Sequence, residues 1–191
     1  MKYARYAGIA TVLILWSSIS IGMLRSGLHF IDMRPLSYLG TDYRSDWLFS
    51  SGLILAAITT MIFGGYLVKK FNAVRWFLYV LFIGQASQVV AALVPYSKVS
   101  STRLIHTIAA LMIAITTPVF MYLFTRAQTV KLRRWAILFA SIEAVMFVIG
   151  IGGLILIGQI APLFQASVAF AFHGWLIFLS VTNRGVDFLK Q

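Results

Sequence analysis

Residues 47–68 read WLFSSGLILAAITTMIFGGYLV, a run with no charged side chain, closed by Asp46 on one side and by Lys69 and Lys70 on the other. As an α-helix it is about 33 Å long at 1.5 Å per residue, enough to cross a hydrocarbon core of about 30 Å. Working outward in both directions, the same pattern recurs at residues 7–23, 76–94, 104–124, 135–157 and 163–181, with nearly all the charge confined to the short segments between. The runs are continuous in Leu, Ile, Ala, Val and Phe, whereas strands of a membrane barrel alternate apolar and polar positions over about ten residues. Lipid offers an open backbone no hydrogen-bond partner, so helices are the structure these runs predict. Composition agrees: 60% hydrophobic and 11% charged residues, with a mean hydropathy of +0.89, leave a soluble fold unable to cover its apolar surface. The fold class expected is an all-α bundle of six transmembrane helices in one domain covering residues 1–191.

The sixteen Lys and Arg set the orientation. Lys2, Arg5, Lys69, Lys70, Arg75, Arg126, Lys131, Arg133, Arg134, Arg184 and Lys190 fall on the side of the N-terminus, and Arg25, Arg34, Arg44, Lys98 and Arg103 on the other. The positive-inside rule therefore predicts both termini in the cytoplasm, with the chain in a plasma membrane or a bacterial or archaeal cytoplasmic membrane. Trp47, Trp76, Tyr96 and Trp135 lie at or beside span ends, where amphipathic rings anchor a helix at the headgroup level. The formal net charge of +11 is scattered over membrane-flanking segments and forms no compact basic stripe, which argues for anionic lipid and against nucleic acid. With no cysteine, disulfides, thiolate metal sites and Cys nucleophiles are excluded. The first run follows Lys2 and Arg5 as a signal peptide would, yet it stays apolar past Trp16 with no A-x-A site, so its retention as the first span is expected.

Most connections are too short to hold a fold of their own. The exception, residues 24–46, is placed on the outer side and carries His29, Asp32, Asp42 and Asp46 together with Pro35, Ser37 and Gly40. Pro35 and Gly40 punctuate it as turns, and Tyr38 and Leu39 are suited to press it into the interface, so it reads as an ordered re-entrant or interfacial loop. The Pro35-x-Ser37-x-x-Gly40 string, the glycines of the second span and His106 near the outer start of the fourth together resemble the DRAM-like family of six-span membrane proteins. That resemblance implies a lipid-linked or regulatory membrane protein with no established catalytic mechanism. The family string carries an acidic residue after its Ser where this chain has Tyr38.

Ionisable groups at membrane depth are costly and therefore suggest function. Glu143, His173 and Gln85 lie roughly 12–15 Å from the nearer ends of their spans at 1.5 Å per residue, and Gln88 sits one turn beyond Gln85. A central polar cluster of Gln85, Gln88, Glu143 and His173 is the expectation, serving as hydrogen-bonded packing or as a lipid, solute or proton site. An ionised Glu143 at the midplane would cost on the order of 2.5–3.5 kcal/mol even on insertion scales, so it must be neutral, paired or beside water.

A second group, His29, Asp32, Asp42, Asp46 and His106, gathers at the outer face, with His106 expected beneath the loop as a partner of one of the aspartates. Imidazole and carboxylate suit zinc, but no tight ligand spacing such as H-E-x-x-H occurs, and Arg25, Arg34, Arg44 and Arg103 are on hand to pair the carboxylates. No metal and no cofactor is expected. The glycines between Ile149 and Gly153 lie inside a span with no preceding strand, and Gly64-Gly65 likewise read as helix-packing positions. Pro118 should kink the fourth span or free a carbonyl. Thr59, Thr60, Thr116 and Thr117 are positioned to bond back to their own helices, and no G-x-S-x-G elbow is present. The reading reached is a small non-enzymatic membrane protein that engages lipid, a partner membrane protein or a second copy of itself. The alternatives are a proton-linked transporter or channel component using Glu143 and His173, and a membrane-embedded metal-dependent lipid hydrolase or transferase using His29, His106 and the aspartates.

Overall fold

A backbone that meets no water must close its own N–H to C=O ladder. The computed structural model, which describes residues 3–29, 34–71, 77–96, 100–126, 130–157 and 162–182, is all-α accordingly. Among the described residues six α-helices follow one another: α1 (Ala7–Ser26), α2 (Asp46–Phe71), α3 (Phe77–Leu93), α4 (Ser100–Arg126), α5 (Val130–Ile157) and α6 (Pro162–Thr182). A single 3-10 turn, Ala4–Tyr6, leads into α1, and a second, Leu36–Gly40, lies in the connection between α1 and α2. Within the described residues three stretches are long and apolar enough to cross a membrane, Ala4–Ser26, Asp46–Lys70 and Ser101–Phe124, while Phe77–Leu93 and Ala169–Val181 are shorter apolar helices. The molecule is thus a helical membrane protein with several apolar spans.

Most helices overrun their apolar runs at a polar end, α3 being the exception. α4 begins at Ser100, ahead of Leu104, and α5 begins at Val130, ahead of Trp135. Hydropathy stops where the hydrocarbon would stop, but a helix continues until its backbone is capped or broken, so Lys and Arg ride on the last turns. α1 ends where Gly27 adopts φ +68°, a left-handed conformation that favours glycine and reverses the chain into the loop.

Each helix packs on the next in sequence and α1 also packs on α6, so the six close into a ring, with a lighter contact between α4 and α6. Association in lipid relies on close van der Waals approach, and small residues sit at the seams. Gly8 of α1 faces Ser180 of α6, Gly84 of α3 faces Thr116 of α4, and Gly174 of α6 receives the ring of Phe139 from α5. At Gly52 of α2 a β-carbon would collide with Ser18 of α1, so only glycine lets those two helices approach this closely. Gly64 makes room for Leu81 of α3, whereas Gly65 has open space around it.

Two apolar cores result. One joins Phe63 and Leu67, Phe77 and Leu81, Phe120, Met121 and Phe124, and Phe172, Trp175, Leu176 and Leu179, from α2, α3, α4 and α6. The other joins Leu15, Ile19, Met23 and Leu28 to Leu36 and Leu39 of the connection, Phe49 and Ala56 of α2 and Ala166 of α6. Pro118 lies within an unbroken α4, where the Thr116 and Thr117 hydroxyls donate to the carbonyls of Met112 and Ile113 at 2.6 Å.

Candidate functional site

The connection between α1 and α2 is folded and docked. Pro35 is extended, with φ −65° and ψ 157°, and its carbonyl accepts the Tyr38 N–H at 2.9 Å to open the 3-10 turn. Leu36 and Leu39 drop into the second core, Leu39 without any exposed surface. The free N–H of Leu36 donates to Oε1 of Gln165 on α6 at 2.6 Å, so the loop ties the first and last helices together. Gly40 lies against the ring of Phe49, and Ser37 is half-buried. Ser45, fully buried, donates to the Leu39 carbonyl at 2.9 Å and closes the turn from below.

Charge then fixes the far end of the loop. Arg44 grips Asp42 with Nε on Oδ1 at 3.0 Å and Nη2 on Oδ2 at 2.8 Å, and its backbone N–H also reaches Oδ1 at 3.0 Å. The same Nη2 donates to the Ser26 carbonyl at 3.1 Å, satisfying an acceptor left over at the end of α1. Hydrogen bonds from the Arg44 side chain and backbone hold the Asp42 carboxyl at about 2, below its ordinary 3.8. Asp46 starts α2 and accepts the Trp47 N–H at 2.6 Å. His29 is exposed just past α1, and Asp32 lies outside the described residues.

His106 makes the contacts that the described residues show at the end of α3. Its Nδ1 is 2.7 Å from the carbonyl of Val94, and the ring of Tyr96 meets it edge-on at 5.8 Å, so it fastens the end of α3 to α4. Among the described residues no three His, Asp or Glu side chains come together as a metal-holding group.

In the interior the four polar residues divide. Gln88 donates Nε2 to the Leu53 carbonyl at 2.8 Å, a bond from α3 to α2. His173 accepts at Nδ1 from the indole N–H of Trp16 at 3.0 Å, and Trp16 in turn stacks on Phe170 at 4.1 Å, so this histidine is a link from α6 to α1. Glu143 is wholly buried on α5, one turn beyond Phe139, and among the described residues neither of its carboxylate oxygens has a hydrogen-bond donor; the same holds for Oε1 of buried Gln85. Gln88 and His173 are thus tied to neighbouring helices, while three buried acceptors, and the buried indole N–H of Trp175, have no partner among the described residues.

Arg44 pairs a loop carboxylate as the sequence suggested, whereas Trp16, Gln165 and Thr11 carry contacts that it did not single out. Thr11 of α1 meets Thr59 and Thr60 of α2 at 2.8 and 3.3 Å, beyond the back-bonding expected of those threonines. A polar side chain inside an apolar run was the available signal for Thr11, and Gln165 offered the same one near the start of the last run.

Compared with protein-family models, with curated proteins and with solved structures, the chain shows no match. The DRAM-like resemblance thus rests on Pro35, Ser37, Gly40 and His106 alone.

Proposed function

We propose that the chain is a six-span, non-enzymatic integral membrane protein that engages lipid through the face bearing its loop, with both termini cytoplasmic. The observation that carries the reading is what the bundle leaves outside. Large apolar side chains face outward around the ring, among them Leu13, Ile58, Phe82, Ile108 and Val145, and at the loop end this belt gives way to exposed Tyr43 and Trp47 beside Arg25. Apolar flanks ending in aromatic rings and cations match the profile of a bilayer from acyl chain to headgroup. Between α3 and α4 a shallow recess of about 210 Å³, lined by Val90, Ile105, Ile108 and Met112 among others, suits an acyl chain. The eleven-to-five division of basic residues supports the orientation, and the DRAM-like resemblance points to the same lipid-linked class. A partner membrane protein or second copy would meet the same face.

Native mass spectrometry of detergent-purified protein tests this. The account expects phospholipid adducts that survive mild activation and weaken in the double variant Tyr43→Ala, Trp47→Ala. Complete delipidation with no loss of thermal stability, and no adducts on adding lipid back, would contradict it.

One observation favours a second reading, a proton-linked transport component: the buried carboxylate of Glu143, with Gln85, presents open acceptors in the interior. Such acceptors are costly unless a proton or donor visits them. In that reading Glu143→Gln abolishes a proton flux measured in proteoliposomes while leaving the fold intact; absence of flux in the wild type leaves Glu143 a packing residue.

A further inference from the structure

The loop face holds a recess of about 370 Å³ whose lining is Arg25, Tyr43, Arg44 and Trp47. It is shallow and open to the outside, and its chemistry is one-sided: among the described residues it is lined by two guanidinium groups, two aromatic rings and no carboxylate. The two arginines differ. Arg44 is committed by Nε and Nη2 to Asp42 and to the Ser26 carbonyl, which fixes its plane and leaves the Nη1 hydrogens for a ligand. Arg25, exposed at the end of α1, stands over the indole of Trp47 with 5.7 Å from guanidinium carbon to ring centroid, and among the described residues it has no carboxylate in an ion pair with it. The Asp42 charge is already matched by Arg44, and Asp46 turns to the Trp47 N–H. Among the described residues, then, the positive charge that Arg25 brings to the recess is unmatched.

Guanidinium groups recognise tetrahedral oxyanions through paired N–H donors better than ammonium groups do. The position adds the second half of the argument. The recess lies where α1 ends and α2 begins, at the level of Trp47, which is the headgroup level for a helix pair that spans the membrane. We infer that this recess binds the phosphate group of a membrane phospholipid, with Arg25 as the principal donor, Arg44 as a pre-positioned second donor, and Trp47 and Tyr43 flanking the headgroup. This rests on the lipid-engaging reading above and gives it a ligand class and an address.

The test uses the whole protein in detergent micelles and follows binding of short-chain phosphatidylglycerol, inorganic phosphate and a neutral diacylglycerol by tryptophan fluorescence and native mass spectrometry. Arg25→Gln is the primary variant, because an exposed side chain at the end of α1 can be shortened without disturbing the fold. Phosphatidylglycerol should bind the wild type, diacylglycerol should bind far more weakly, and Arg25→Gln should lower phosphatidylglycerol affinity roughly tenfold, the effect of one charge-assisted hydrogen bond. Arg25→Lys should recover part of the loss, keeping charge without the fork. Inorganic phosphate binding as tightly as the lipid would assign the same recess to a soluble phosphate and overturn the headgroup assignment. Equal phosphatidylglycerol affinity in wild type and Arg25→Gln would overturn the recess while leaving lipid engagement elsewhere intact. A wild type that binds none of the lipids would overturn the broader reading itself.

Discussion

At the scale of single residues, Asp42 shows how one side chain converts charge into loop geometry. Three hydrogen bonds from Arg44 converge on its carboxylate, and they favour the ionised form in the folded loop over the unfolded chain. A folded-state value of about 2 against the ordinary 3.8 means that the contribution is complete above about pH 4 and is lost as pH falls through about 2. Amide exchange across residues 36–45, corrected for intrinsic rates, should therefore be equally slow at neutral and mildly acidic pH and accelerate only below about pH 4. In Asp42→Asn the fast exchange should already be present at pH 7. Leu39 supplies the apolar counterpart. It is fully buried among Leu15, Ile19 and Phe49, and truncation to Ala should cost about 2–5 kcal/mol, read as a lower thermal midpoint in detergent with the helices retained by circular dichroism.

At the scale of elements, most hydroxyls bond back to their own helix, and a few polar side chains cross-link neighbouring helices. Ser50 to the Ala92 carbonyl and Gln88 to the Leu53 carbonyl tie α2 to α3, Trp16 to His173 ties α1 to α6, and His106 ties α4 to the end of α3. His106→Ala should accordingly increase exchange at Leu93, Val94 and Tyr96 and leave the 3-10 turn Leu36–Gly40 untouched, whereas Gln165→Ala should loosen that turn and spare α3. A loosened turn in His106→Ala would return the histidine to the loop. The existence and approximate limits of the helices were legible from runs such as residues 47–68, and Pro35 with Gly40 marked the loop as turned. Which way each helix faces was not. A span that is apolar all round carries no stripe to fix its rotation, so Gln88 and His173, which look toward one shared centre on paper, in fact bond to α2 and α1. The docking of Leu36 on Gln165 spans more than a hundred residues of sequence, and no local pattern encodes such a pairing.

At the scale of the whole molecule, the ring closed between α1 and α6 places the loop across the helix ends and surrounds the apolar core with outward-facing apolar side chains. The small-residue seams make this closure possible, and Gly52 is the tightest of those that join α1 to α2. Gly52→Val should force the two helices apart against Ser18, costing about 1–3 kcal/mol as overpacking does, with Gly65→Ala, in open space, as the silent control. In the proposed arrangement all six helices cross the bilayer and the loop closes the outer face. Because the chain contains no cysteine, single cysteines report on this directly. Introduced one at a time at Tyr43, Tyr96 and Gln159, they should react with a membrane-impermeant maleimide added outside intact cells, and at Lys70 and Arg133 they should react only after the membrane is opened. Labelling of Lys70 or Arg133 from outside, or protection of Tyr96 or Gln159 in intact cells, would contradict the six-span arrangement.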